Sequence, residues 1–432
     1  MRQPGEADAP LWRSVLTFLL PLVASNMLQS LAGTMGAVYY GQMIGVSALA
    51  AAAAFFPIFF FLISFLVGFS NAAAVLVGQA FGAADGGRVK RVAGTTLTIC
   101  VLSGAVVAAV CGVLARAILA AIGTPPDILS AALAYSRVMF VFTPLLFVFI
   151  AYSTLLRGVG DTRSPFYALL VSTTISLILV PSLIRGWAGL PRLGITSGPY
   201  SAATAYVVSL AWLFIHLWRI GSPLAPDRAL VAEFRIDWPI LKTLLRLGVP
   251  TGMQIVLVSL SEVAVISFVN AFGSGATAAY GAVNQIVGYV QFPAISVGIA
   301  ASIFGAQAIG AGRTRQLPQI TRTAICLSLA MGGCLIAPLY LFSRAVVSWF
   351  IDAPDTAAIA VRLLEITLWS YLVFGVSQVL QGVMRGSGTV LWPTALSIST
   401  IWGVEVPVAY VLSHRIGLDG SGSLIPSRSP RA

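Results

Sequence analysis

Charge is what this chain has least of. Only 9% of its 432 residues are Asp, Glu, Lys or Arg, against roughly a quarter in soluble domains. No charged residue occurs from Ser14 to Ala84, and none from Val263 to Gly312. Runs of that length exclude a soluble globular fold, because ~20 apolar residues cross the hydrocarbon of a bilayer. Histidine is almost missing: His216 and His414 each lie near a predicted helix end, so no histidine-based metal or catalytic centre is expected. Cys100, Cys111, Cys326 and Cys334 sit inside apolar segments. They offer neither a disulfide framework nor metal-ligand spacing, and read as small core residues. No phosphate-binding loop is present, which removes an ATPase reading. Met1 to Pro10 carries mixed charge and Leu11 opens a segment too long for a cleavable leader, so no signal peptide is expected.

What is present is apolar length. A spanning-helix ruler gives about eleven segments, at 14–40, 48–78, 93–122, 134–156, 165–184, 198–219, 244–272, 276–307, 320–350, 360–384 and 392–414. The most polar connector, Gly221 to Arg246, lies between the sixth and seventh. A single offset of 228 then relates the two sides of that connector. It carries Gly45 onto Gly273, Gln79 onto Gln307, Arg157-Gly158 onto Arg385-Gly386, Gly160 onto Gly388 and Pro165 onto Pro393. Several landmarks on one number mark a duplicated unit. We therefore expect an N-terminal lobe at 1–220, a cytoplasmic linker at 221–246 and a C-terminal lobe at 247–432. The fold class is all-α integral membrane, built from two parallel six-helix repeats. Six spans per copy bring both copies in from the same side, the parallel arrangement of secondary transporters.

Lys and Arg set the orientation. Sixteen fall in one set of short loops, including Arg88, Lys90, Arg91, Arg313 and Arg315, and seven in the other. The positive-inside rule places the N-terminus in the cytoplasm. The net charge of +11 is then loop topology and lipid contact, and a nucleic-acid partner is not expected.

The second copy stops early. A twelfth span is expected after His414, but Gly420 to Ala432 is too short and too polar to cross. With one choice of codons, moving the frame back by one base after Gly420 yields an apolar string. We expect a frameshift to have removed the twelfth span, a reading the nucleotide sequence decides.

Gly41-Gln42-Met43-Ile44-Gly45 with Ala48-Leu49-Ala50-Ala51, then Gly78-Gln79-Ala80-Phe81-Gly82-Ala83, then Arg157-Gly158-Val159-Gly160-Asp161-Thr162 with Pro165 resemble the multidrug and toxic compound extrusion (MATE) family. The second-half echoes fall where that family has them, and the resemblance covers nearly the whole chain. It implies two six-helix lobes forming a V-shaped cavity. It also implies export of amphiphilic organic cations by alternating access, driven by inward H⁺ or Na⁺, from the bacterial inner membrane. The chain would act as a monomer with no cofactor beyond its coupling ion. A flippase for lipid-linked saccharides of the same superfamily is the alternative, but it would favour a more cationic cavity. An enzyme would need clustered acids, bases or metal ligands, and is not expected.

An ionisable group in mid-membrane is costly and is usually paired or functional. Glu262 stands alone between Gly248 and Gly312, which makes it the first candidate for ion coupling. At about 100° per residue, Ser259, Glu262 and Asn270 fall within about 80° of one face, with Ile266 in its middle. Ser261-Glu262-Val263 also resembles the seventh-helix Glu of the Na⁺-coupled branch. Two departures qualify the resemblance: Gly36 and Gly375 stand where branches of the family carry Asp. Their absence favours a single-carboxylate H⁺ antiporter over a dicarboxylate Na⁺ site. Glu405, two residues before Pro407, is the second ion-coupling candidate. Glu365, three residues after Arg362, reads as an interfacial ion pair. Asn26, Gln29, Ser259, Asn270, Asn284, Gln285, Gln378 and Gln381 form polar stripes that could line a substrate cavity, with interhelical hydrogen bonding as the alternative. Phe55, Phe56, Phe59, Phe60 and Phe61 read as packing or lipid-facing surface. The Gly78-Gln79 and Arg157-Gly158 motifs read as lobe-packing elements that let helices approach closely.

Overall fold

A backbone in hydrocarbon has no water to bond, so its N–H and C=O groups must be satisfied along a helix. The computed structural model describes residues 10–351 and 353–411, and among them the regular elements are helical throughout. Helix α1 is Leu11–Tyr39, continued by a π turn at Tyr40–Ile44; α2 is Val46–Gly82 and α3 is Gly86–Ala121. Then come α4 (Pro126–Val141), α5 (Thr143–Gly158), α6 (Arg163–Arg185), α7 (Ser197–Arg219) and the short α8 (Arg228–Ala232). The second half holds α9 (Trp238–Asn270), α10 (Ser274–Gly310), α11 (Leu317–Leu341) and the short α12 (Ser343–Ser348). It ends with α13 (Pro354–Leu368), α14 (Ser370–Gly386), α15 (Leu391–Thr400), a π turn at Ile401–Glu405 and α16 (Val406–Val411).

Nine of these elements are long and apolar enough to cross a bilayer. Two bent pairs, α4 with α5 at 52° and α13 with α14 at 40°, bring the described spans to as many as eleven. The first bend has a local cause. Pro144 in the opening turn of α5 removes a backbone donor where α4 stops. The tail from Gly420 to Ala432, and with it the twelfth span, lies outside the described residues.

Contacts divide the chain into two units. The first is built on Leu16–Gly252 with Ala306–Arg313, the second on Met253–Gly305 and the chain from Thr314 onward. In the first, α2 packs on α3, α4 and α5, and α6 packs on α7. Phe55, Ala115 and Phe140 form one of its buried clusters. The phenylalanine run is thus split: Phe55 is core, whereas Phe56 and Phe61 are exposed. In the second unit α11 packs on α14, and Val283, Ile286, Val287 and Val290 bury against Leu363, Leu364 and Leu368.

The duplicated Gly-Gln motif explains why Ala306–Arg313 joins the first unit. A Cβ on Gly82 would fall 2.1 Å from the Gln307 carbonyl oxygen, and one on Gly310 would fall 1.9 Å from that of Gln79. Gly82 and Gly310 are related by the repeat, as are Gln79 and Gln307. The two copies of one motif therefore cross reciprocally, each glycine receiving the other copy's glutamine backbone. Gln307 Nε2 also donates to the Gly158 carbonyl at 2.9 Å, so the two motifs read separately from sequence meet at one place.

The connector of residues 221–246 is ordered, and its last third is the opening of α9. Asp227 caps α8 by accepting from Leu230 N at 2.8 Å, and Asp237 does the same for α9 from Ile240 N. Lys90 on α3 donates to Asp227. Tyr152 donates its hydroxyl to the Leu224 carbonyl, and Thr95 donates to that of Arg235 at 3.2 Å. Leu224 and Leu230 are fully buried. The linker is a strap laid against α3 and α5.

Candidate functional site

Fourteen acids are present in the sequence, and most of those the structure describes have an identifiable structural task. Asp85 accepts from Arg88 N at the start of α3, and Asp161 from Arg163 N and Ser164 N at the start of α6. Asp227 and Asp237 cap α8 and α9 as above. Asp127 and Asp355 stand in the first turns of α4 and α13, where the helix dipole favours a negative charge. Glu233 pairs with Arg235. Glu365 is corrected here: its carboxylate accepts from Ser343 Oγ at 3.1 Å, and no ion pair joins it to Arg362 among the described residues. Two acids are left over, Glu262 and Glu405, both in the second unit.

The structure places them at one level of two neighbouring segments. Helix α9 and the segment α15–α16 run parallel and touch at successive levels. Thr394 Oγ1 donates to Gln254 Oε1 at 3.4 Å. Trp402 Nε1 donates to the Leu257 carbonyl at 3.1 Å. Phe268 meets Tyr410 edge-on, ring centroids 5.9 Å apart. Between the second and third of these contacts lie Glu262 and Glu405, close enough for their charges to interact. The register carries the geometry: Trp402 fixes the π turn whose last residue is Glu405, and Leu257 is five residues before Glu262. Such turns are common where a side chain is aimed for function. Neither carboxylate is sunk into packing; both side chains are exposed.

One further group stands near the pair. Tyr371, in the first turn of α14, lies beside the Gln291 side chain of α10 and within electrostatic reach of Glu262, Glu405 and Tyr280. Sequence reasoning missed Tyr371 and Tyr280, since a tyrosine in a span has no signature beyond its aromatic ring.

Toward the basic end of the same helices lies an amide ladder. Gln254 Nε2 donates to Gln381 Oε1 at 3.2 Å, Gln381 Nε2 to Ser377 Oγ at 3.1 Å, and Arg385 to the Gln381 carbonyl at 3.3 Å and Gln378 Oε1 at 3.5 Å. Gln381 thus bridges to α9 through Gln254, and Gln378 is engaged with Arg385 on its own helix. Gln254 lies two turns before Glu262, a spacing that could have flagged it. Asn270 accepts from Thr277 Oγ1 at 2.9 Å and so joins the end of α9 to the start of α10, about 12 Å along the axis from Glu262. Ser259 is half-buried one turn from Glu262, Asn284 and Gln285 are exposed on α10, and Asn26 and Gln29 stand on α1 in the first unit. Thr34, the repeat counterpart of Glu262, donates its hydroxyl to the Ser30 carbonyl.

Of the cysteines, Cys100 is buried as expected, but Cys326 and Cys334 are exposed on α11. An apolar span tells that a residue is in the membrane, not whether it faces protein.

The sequence model of the MatE family matches this chain twice, over residues 21–181 and 250–411, one match in each copy of the repeat. The chain belongs to the MatE family. The probable multidrug resistance protein YoeA of Bacillus subtilis (strain 168) is 48% identical over 408 residues, covering 94% of this chain and 88% of that protein. The multidrug export protein MepA of Staphylococcus aureus (strain MSSA476) is 20% identical over 415 residues, 95% of this chain and 89% of that protein. Among solved structures, the outward-facing conformation of a multidrug resistance MATE family transporter of the MOP superfamily superposes with a TM-score of 0.87 at 18% identity, covering 95% of this chain and 90% of that one. At that identity the likeness speaks for the fold. This MatE chain is therefore an all-helical, multi-pass membrane protein.

Proposed function

We propose that this MatE chain is a secondary active exporter of amphiphilic organic cations. It works by alternating access in a bacterial cell membrane, with its N-terminus in the cytoplasm, and exchanges substrate for an inward-moving H⁺ or Na⁺. The observation that carries the reading is the parallel register of α9 with α15–α16, which puts Glu405 and Glu262 at one level. Two carboxylates at one level of a span carry negative charge that the bilayer strongly disfavours. A proton or Na⁺ neutralises it, and so does a cationic substrate. Competition between these cations for one negative site is the simplest form of exchange: each can drive the other out. Tyr371, beside Gln291, offers a hydroxyl oxygen to the same cation.

Relatives named for multidrug resistance and multidrug export support drug-like organic cations as the substrate class. The site is sparse in fixed cations, which favours cationic cargo over anionic saccharide carriers. For a ligand to drive the cycle it must bind one conformation better than the other.

The test uses the purified chain in proteoliposomes with an imposed pH gradient. Adding an amphiphilic organic cation such as ethidium dissipates the gradient, and Glu262→Gln abolishes that response. A parallel run with a Na⁺ gradient separates the two coupling ions. A Glu262→Gln protein that dissipates the gradient as well as the unsubstituted one overturns the coupling assignment.

A further inference from the structure

The repeat makes one helix face comparable in both copies. On α3 the face at Val89, Lys90, Ala93, Gly94 and Leu97 is covered: Val89, Ala93 and Leu97 are each 1% exposed. Helices α2, α4 and α5 pack on α3, and the strap covers Lys90 and Gly94. A Cβ on Gly94 would fall 2.2 Å from the Glu233 carbonyl oxygen, and Asp227 brings a carboxylate to Lys90. The strap therefore supplies two things, a closely packed backbone segment and an anion for the basic side chain.

The same offset places Leu317, Pro318, Thr321, Arg322 and Ile325 on the matching face of α11. There the face is open. With Cys326 these residues line a groove of about 510 Å³, running along two neighbouring rows of one helix. It is about 14 Å long. Its basic residue has moved, from Lys90 in the first copy to Arg322 in the second, and has no acidic companion. No Asp or Glu occurs between Glu262 and Asp352 in the sequence, and neither ion pair among the described residues uses Arg322. Arg315 adds a second exposed cation just before the helix.

We infer that this face of α11 is a binding site for an anionic phospholipid. An acyl chain lies in the groove between Leu317, Pro318, Ile325 and Cys326, and the phosphate is held by Arg322 with Arg315 beside it. The lipid brings to α11 what the strap brings to α3. Guanidinium groups take phosphate oxygens in paired hydrogen bonds, and basic pockets at the cytoplasmic ends of spans are suited to such head groups. The site is independent of the coupling pair and of any particular cargo.

Cys326 provides the probe. The full chain carrying Cys111→Ser and Cys334→Ser is labelled at Cys326 with a small fluorophore; Cys100 stays buried. It is reconstituted with phosphatidylglycerol or phosphatidylcholine bearing a nitroxide on the acyl chain, each at the same low mole fraction. We expect quenching by phosphatidylglycerol to exceed that by phosphatidylcholine by about fivefold, the enrichment one arginine near an anionic surface contributes. Arg322→Gln should equalise the two lipids, and Arg322→Lys should restore most of the difference. A label moved to Cys334, with Cys326→Ser, should show no preference. Equal quenching by both lipids in the protein that keeps Arg322 overturns the proposal. So does weak quenching by both with Cys326 also shielded from aqueous iodide, which would mark a protein segment as the occupant.

Discussion

The two copies of the repeat share their backbone landmarks and divide their chemistry. Gly82 and Gly310 perform one task in both, each admitting the other's glutamine backbone, and Asp127 and Asp355 open equivalent helices. The ionisable pair belongs to the second copy alone: Glu262 has Thr34 as its counterpart, and Glu405 is its neighbour there. Packing is what duplication preserves, because a glycine at a close crossing has no substitute. A buried or lipid-exposed charge is costly and is kept only where it acts. The asymmetry is what the proposed coupling role of Glu262 rests on.

The sharpest way to break that comparison is to exchange the roles. Glu262→Gln should reduce substrate-driven proton movement in proteoliposomes to background, whereas Thr34→Val should leave it unchanged, since Thr34 bonds only within its own helix turn. A large loss from Thr34→Val would show that the first copy takes part in coupling. The next effect in size concerns what the copies share. Gly82→Val and Gly310→Val each place atoms inside 2.1 Å of a backbone carbonyl, so each should lower the thermal unfolding midpoint in detergent. The cost is at least about 1–3 kcal/mol, typical of overpacking. Because the crossing is reciprocal, both shifts should be similar and the double variant less than additive. A drop from one variant alone would mean the crossing is not shared equally.

How far sequence reached follows the same division. The spans, the duplication and Glu262 were legible because each rests on composition or on a fixed offset. Glu262 stood out through the absence of any charge around it. The placement of Glu405 level with Glu262 was not legible, since it depends on the register of two helices more than a hundred residues apart and on a π turn anchored by Trp402. Gln378 and Gln381 were visible as a polar stripe, but a stripe of amides looks alike whether it lines a cavity or bridges helices. Only the bond from Gln254 shows that Gln381 bridges helices. Tyr371 was hidden for a related reason: its aromatic ring suits a span, and its hydroxyl acquires meaning only beside Gln291.

Trp402 gives a smaller and more local test. Trp402→Phe keeps the ring and deletes the N–H that holds the π turn to Leu257. The lost bond is worth about 1 kcal/mol, so the midpoint of unfolding should fall modestly. Proton movement should weaken without vanishing, because Glu405 is less firmly aimed while Glu262 is intact. Full retention of coupling would separate Glu405 from the site and leave Glu262 to act alone.

The smallest effect belongs to the strap that covers α3, and its sign can be worked out. The hydrogen bond and charge of Lys90 hold the Asp227 carboxyl below its ordinary range. A depressed folded-state value means the pair's contribution is fully present above the unfolded-state value of about 3.9. It is lost as pH falls through the lower folded-state value. Stability should therefore be level from neutral pH down to about 4 and decline below that. In Lys90→Met this part of the decline should disappear, leaving the acid loss due to other carboxylates. The side chain of Asp227 is 43% exposed, so solvent and salt screen the pair and the change should stay within about 1 kcal/mol. A decline that is steeper in Lys90→Met than in the unsubstituted chain would mean that Lys90 does not hold Asp227 in its charged form, and that the strap is fastened by Leu224, Leu230 and the Tyr152 hydroxyl instead.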